Sequence, residues 1–185
     1  MAIVSARYLQ LAALPKRDLA SVFEHGAAPD VTALTGFEYR GFNQPRAAAL
    51  LGIRKFIKAF YLDSSQQPYG CNTPVTQNGL DAEWLAKPNP ENPKRYAFFK
   101  MDSADPESAH PLARKAVSLD YSKGRNPPHE AARILRDYLV RIEPGSDDLL
   151  LGRAFFVLAG HPVADSYFLI ERYRPLTDTA ELARH

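Results

Sequence analysis

Three apolar runs in the last third of the chain constrain the fold more than any other feature. Tyr138-Leu139-Val140-Arg141-Ile142 is followed by the turn cluster Glu143-Pro144-Gly145-Ser146-Asp147, and then by a long run from Leu149 to Leu158. Gly160-His161-Pro162 makes the next turn, and Asp165 to Arg174 forms a final run. A parallel crossover needs about a dozen connecting residues or more, and neither turn supplies them. The three runs therefore read as an antiparallel meander.

The same two-residue period appears upstream. Phe37 and Tyr39 share one face of a strand, and Glu38 and Arg40 share the other, apolar inside and charged outside. Further strands are expected at Arg54 to Leu62, Tyr96 to Met101 and Ala116 to Tyr121, where Val117, Leu119 and Tyr121 alternate with Ser118 and Asp120. Helical signals are few. A short helix is expected over 15–26, with Pro15 in its first turn, Asp18 near the positive end of its dipole, Leu19, Val22 and Phe23 on one face, and Gly26 at its end. Arg46 to Leu51 reads as a turn or two of helix stopped at Gly52, and Pro127 to Glu130 opens another through Leu135. Residues 63–94 hold Pro68, Pro74, Pro88, Pro90 and Pro93, a density that forbids continuous ladder bonding. That stretch is expected to be a long loop or lid, with Trp84 and Leu85 packing part of it back.

About seven strands, with Ile3 to Leu9 as a candidate eighth, and few helices point to a mainly β chain: an antiparallel barrel or strongly curved sheet. A length of 185 residues fits one domain over 1–185. Phe37, Tyr39, Val117, Leu119, Phe155, Val157, Phe168 and Ile170 are expected to point inward, with the final strand beside the first.

Composition matters mainly for what it excludes. Lys+Arg 23 against Asp+Glu 21 gives +2, spread evenly, which disfavours a nucleic-acid surface. No leader pattern and no apolar window of roughly 20 residues is visible, so no membrane span is expected. The single cysteine, Cys71, precludes an internal disulfide and suggests a reducing, cytoplasmic setting. No glycine-rich phosphate loop, GxSxG elbow or HExxH pairing occurs, so neither a cofactor nor a metal is expected, and no catalytic residue stands out. Oligomeric state is left open.

What does stand out is cations inside apolar strands: Lys58 between Ile57 and Ala59, Lys100 between Phe99 and Met101, and Arg153 within Leu149 to Phe156. Facing outward, they break up sticky strands. Facing inward, each needs an anionic partner from the protein or from a ligand carboxylate. Arg153 is the preferred inward cation, because it alternates in phase with Leu149, Leu151, Phe155 and Val157. The candidate ligand contacts are Arg153, Lys58, Tyr39, Tyr121, Phe155 and Trp84. Tyr39, Asp120, Tyr121 and Lys58 are also the residues suited to acid–base chemistry.

The opening Leu34-Thr35-Gly36-Phe37-Glu38-Tyr39-Arg40-Gly41, preceded by a short helix and a proline-containing link, resembles the Gly-x-Trp opening of calycin-type barrels. That superfamily includes lipocalins, fatty-acid-binding proteins and nitrobindin-like proteins, and the bacterial GXWXG-type domains look similar here. The runs from Arg141 to Ala154 and from Tyr167 to Arg172 resemble the closing strands of such bacterial proteins. Tyr39 stands in place of the tryptophan, and Gly36 is one residue out of register. The resemblance implies a closing-strand arginine packed on the opening aromatic, here Arg172 on Tyr39, and a barrel around a small hydrophobic ligand. No histidine matches the haem ligand of the nitrobindin-like members. Two functions are open: binding of a small hydrophobic molecule, with or without a carboxylate, or a cofactor-independent isomerase, cyclase or lyase in the same barrel. A purely structural domain is the third reading.

Overall fold

In the computed structural model, which describes residues 4–44, 53–159, 161–177 and 182, eight antiparallel strands close into a barrel. They are β1 (Phe37–Asn43), β2 (Lys55–Leu62), β3 (Pro68–Pro74), β4 (Tyr96–Asp102), β5 (Val117–Asp120), β6 (Leu135–Arg141), β7 (Leu149–Leu158) and β8 (His161–Pro175). Each pairs with its neighbours in sequence, and β8 returns to pair with β1, so no edge is left open. Among the described residues there are also three short α-helices, α1 (Ala6–Ala12), α2 (Lys16–His25) and α3 (Val31–Leu34).

The eighth strand is not the expected one. Residues around Ile3 to Leu9 do not form a strand over their described part: Ser5 caps α1 by accepting from the Tyr8 N–H, and Tyr8 and Leu11 are buried on one face. The missing strand is β3, inside the proline-rich stretch. Pro68 and Pro74 sit at its two ends, where a lost N–H costs least, and leave Tyr69 to Thr73 free to pair with β2 and β4. The helix expected from Pro127 to Leu135 shrinks to a single 3-10 turn, Ala131–Ile134, before β6. The helical turn expected over Arg46 to Leu51 lies outside the described residues.

The wall has an apolar layer on both sides. Inside lie Tyr39, Phe56, Phe60, Phe99, Met101, Val117, Leu119, Leu139, Leu150, Phe168 and Ile170. Outside, α1 and α2 bring Tyr8, Leu11, Leu19 and Phe23 against Ile57, Leu149, Leu151, Tyr167 and Leu169. The outer coat corrects two expectations. Glu38 and Arg40 do face outward, but they are buried: Arg40 pairs with Glu171, and Glu38 with Arg95 and Arg174. Phe155 packs against the outer cluster, and its in-phase neighbours Arg153 and Val157 share that outer face. The inward residues of β7 are Leu150, Gly152 and Ala154.

Residues 75–94 run along the outside of the wall. The Lys55 ammonium donates to the carbonyls of Gly79 (2.9 Å), Ala82 (3.0 Å) and Glu83 (3.2 Å) and to Asn78 Oδ1, and lies 3.7 Å from the Trp84 ring centre. The Trp84 indole N–H donates to the Gly41 carbonyl. Trp84 thus packs back as expected, but on the outer coat beside Tyr8 and Arg40.

Three inward glycines shape the interior. Gly41, Gly70 and Gly152 lie opposite Phe56, Phe99 and Phe168 across the ladder, and each ring lies over its glycine. A Cβ at these glycines would sit 2.3, 2.3 and 2.0 Å from the facing ring. The rings therefore lie back against the wall. One end is stoppered by Leu34 of α3 and by the closure contact, in which Arg172 lies 4.1 Å over Phe37 and 5.4 Å over Tyr39. Tyr39 and Arg172 are cross-strand partners, and the Tyr39 hydroxyl donates to the Asp147 carbonyl at 2.9 Å. The closing contact expected from the sequence is present.

Tyr39→Ala should destabilise by roughly 2–4 kcal/mol through loss of a large buried side chain, whereas Tyr39→Phe should cost only about 1 kcal/mol for its hydrogen bond. Gly152→Ala should cost about 1–3 kcal/mol by driving Phe168 off its seat. Urea unfolding midpoints measure all three, and a neutral Gly152→Ala would refute the seating.

Candidate functional site

Of the three cations expected within apolar strands, only Lys58 enters the barrel. It sits at the middle of β2, across the ladder from Tyr39 on one side and Asn72 on the other, and is 1% exposed. Arg153 is on the outer face, paired with Asp165 at 2.8 Å and resting over Phe155 and Tyr167. Lys100 pairs with Asp102 at 3.5 Å. Asp120, next to the inward Leu119, faces away from the lumen and pairs with Arg136 and Lys123. Of the six candidate ligand contacts, Lys58, Tyr39 and Tyr121 belong to the interior, and Arg153, Phe155 and Trp84 belong to the outer coat.

The anionic partner that Lys58 requires comes from the protein. Asp137 enters from β6, where it alternates in phase with Leu135 and Leu139, and is 4% exposed. In a ring of eight strands, β2 and β6 are opposite each other, so the Lys58–Asp137 contact crosses the lumen. Tyr121, just past the end of β5, bridges it. Lys58 Nζ donates to the Tyr121 hydroxyl at 2.8 Å, and that hydroxyl donates to Asp137 Oδ2 at 2.7 Å. The direct distance from Lys58 Nζ to Asp137 Oδ2 is 3.6 Å.

Local sequence explains how Tyr121 is held. The Asn126 side chain donates to the carbonyls of Phe98 and Tyr121 and accepts from the Phe98 N–H, tying the loop after β5 to β4. Gly124 permits this approach: a Cβ there would meet the Phe98 carbonyl oxygen at 1.8 Å. The Tyr121 ring then packs on Phe99 at 5.1 Å between centres.

Four aromatic faces surround the Lys58 ammonium: Phe99 at 4.6 Å, Phe168 at 5.3 Å, Tyr121 at 5.4 Å and Phe56 at 5.6 Å. Three of these rings are the ones lying over glycines. Cation–π attraction offsets part of the lost hydration. Burial still pushes the Lys58 amine down to about 8, against the attraction of Asp137. The same burial raises the Asp137 carboxyl, against Lys58 and the Tyr121 hydrogen bond. It also raises the Tyr121 phenol well above its ordinary value, with Asp137 adding to the effect. The three groups form a chain with two end states, the proton on Lys58 as an ion pair or on Asp137 as a neutral pair, linked through the phenol.

Among the described residues, no helix is long and apolar enough to cross a membrane, and no group of His, Cys, Asp or Glu is arranged to hold a metal ion. Comparison with protein-family models, with curated proteins and with solved structures finds no match for this chain.

Lys58→Met should destabilise by about 3–5 kcal/mol, because it strands a buried carboxylate, and Lys58→Met combined with Asp137→Leu should recover most of that loss. In the single variant the folded Asp137 holds its proton to higher pH than the unfolded one. Stability should therefore be fullest below about pH 4 and fall as pH rises through the folded pKa. A pH series of urea midpoints tests the sign; a midpoint that rises with pH across that window contradicts it.

Proposed function

We propose that the barrel binds a small hydrophobic molecule in its lumen, as calycin-type barrels do, beside the Lys58–Tyr121–Asp137 chain. The carrying observation is that a lysine, a carboxylate and a phenol meet in the lumen of an eight-stranded barrel, ringed by phenylalanines seated over glycines. A buried ion pair adds little net stability compared with apolar residues of the same volume, so a scaffold has no need of it. Strongly perturbed acid–base groups gathered in an interior are a functional-site signal. Barrels of eight strands are just wide enough to be filled by side chains or to hold one small ligand. The sequential strand order, the N-terminal helices and Arg172 over Tyr39 support the calycin-like reading. The lone cysteine keeps a reducing, cytoplasmic setting as part of it.

Native mass spectrometry of the purified protein should show a retained small molecule, or uptake of an added neutral fluorophore such as N-phenylnaphthylamine. Lys58→Met with Asp137→Leu should alter that uptake, and Arg153→Met, on the outer face, should leave it unchanged. No retained molecule and no uptake would reject the proposal.

A second reading has one observation in its favour. Lys58, Tyr121 and Asp137 are three acid–base groups within 3.6 Å of one another, with the lysine shifted toward neutrality. That suits a cofactor-independent isomerase, cyclase or lyase working on a bound hydrophobic substrate. Chemical change of the retained molecule over time distinguishes it from simple binding.

A further inference from the structure

The lumen holds one polar atom that the Lys58 chain does not use. Asn72, on β3, is the cross-strand partner of Lys58, and its side chain also reaches the Tyr121 hydroxyl, opposing part of the rise that burial and Asp137 impose on the phenol. Its Oδ1 is buried and has no hydrogen-bond partner among the described residues. An amide carbonyl left unpaired in such a place costs free energy that a donor would recover. The residue itself is only half-buried, next to the half-buried Tyr96 of β4. Tyr96, Ala132 and Leu135 are all partly exposed members of the inner cluster. The opposite end is stoppered by α3, and these partly exposed inner residues lie at the Asn72 end.

Charge sets the second condition. The Lys58 ammonium already has its counterion in Asp137 and its hydrogen-bond acceptor in Tyr121. A ligand carboxylate would bring an uncompensated negative charge beside Asp137, in surroundings that penalise any unpaired charge. Resting on the binding function proposed above, we infer that the ligand is an uncharged amphiphile whose polar head carries a hydroxyl or N–H donor, directed to Asn72 Oδ1. Fatty alcohols and amides belong to this class. Fatty acids in their ionised form do not, which departs from the carboxylate that the buried cation first suggested.

The test uses three probes sharing one alkyl chain: lauryl alcohol, laurate and methyl laurate, each competing with N-phenylnaphthylamine for the intact protein near neutral pH. The alcohol should displace the fluorophore at about a tenfold lower concentration than the ester, the factor one satisfied buried hydrogen bond supplies. The ionised acid should be the weakest. Asn72→Leu should erase the preference for alcohol over ester while retaining ester binding. Asp137→Asn, with Lys58 intact, should move laurate from weakest toward tightest, because the lysine then lacks its internal counterion. The ranking in the unaltered protein needs no variant and so does not depend on either variant folding. Laurate binding tightest there, or alcohol and ester binding equally, overturns the inference and leaves the binding function standing. Failure of the fluorophore and all three lipids to bind removes the binding function itself.

Discussion

The Lys58–Tyr121–Asp137 contact is the constraint around which the interior is arranged. It spans the barrel from β2 to the opposite β6 and so fixes a short polar bridge across a lumen that is otherwise apolar. An ammonium there must find an acceptor and a counterion, and the wall must leave room for its stem. Phe56, Phe99 and Phe168 come from the even-numbered strands β2, β4 and β8, and each lies over a glycine on the odd-numbered neighbour β1, β3 or β7. Laying three rings over bare backbone does two things at once. It keeps the axis clear for the lysine, and it presents the negative faces of the rings to its charge.

Outside, the same wall carries a different load. Arg40 and Glu171 face away from the lumen yet lie beneath Trp84 and the start of α1, and Glu38 is buried beside Arg95 and Arg174, so all three must be paired. Glu171 accepts from Arg40 and from the Ser5 backbone N–H at the start of α1. The helix is thereby docked by a charge already neutralised within the sheet. Two buried ionic systems on opposite faces of one wall make this barrel unlike a simple oil drop with a charged skin.

That double layer also decides how much of the fold the sequence revealed. The strand period, the antiparallel order, the α2 helix and the Tyr39–Arg172 closure were legible, because each depends on local alternation or on the pairing of first and last strands. The inward face of β7 was not. Leu149 and Leu151 are buried outside and Leu150 inside, so both faces read as apolar, and the alternation alone puts Arg153 and Phe155 on the wrong side. β3 was hidden because its prolines lie at the strand ends, where the ladder tolerates them. Within the site, Lys58 and Tyr121 were visible as polar groups in apolar runs, whereas Asp137 was missed. Its signal was present: a lone carboxylate in phase with Leu135 and Leu139, on a strand whose start was blurred by an expected helix.

Gly41 joins the two faces of the wall at one residue. Its missing side chain seats the Phe56 ring on the inside, and its carbonyl accepts the indole N–H of Trp84 on the outside. Trp84 is the only tryptophan in the chain, and it lies between the charges of Lys55 and Arg40. The emission of an indole depends on the charges and hydrogen bonds around it, so any shift of β1 as Phe56 is displaced changes the light from the far side of the sheet. The indole thus reads the seating of Phe56 from the far side of the wall, out of reach of anything on the inner face.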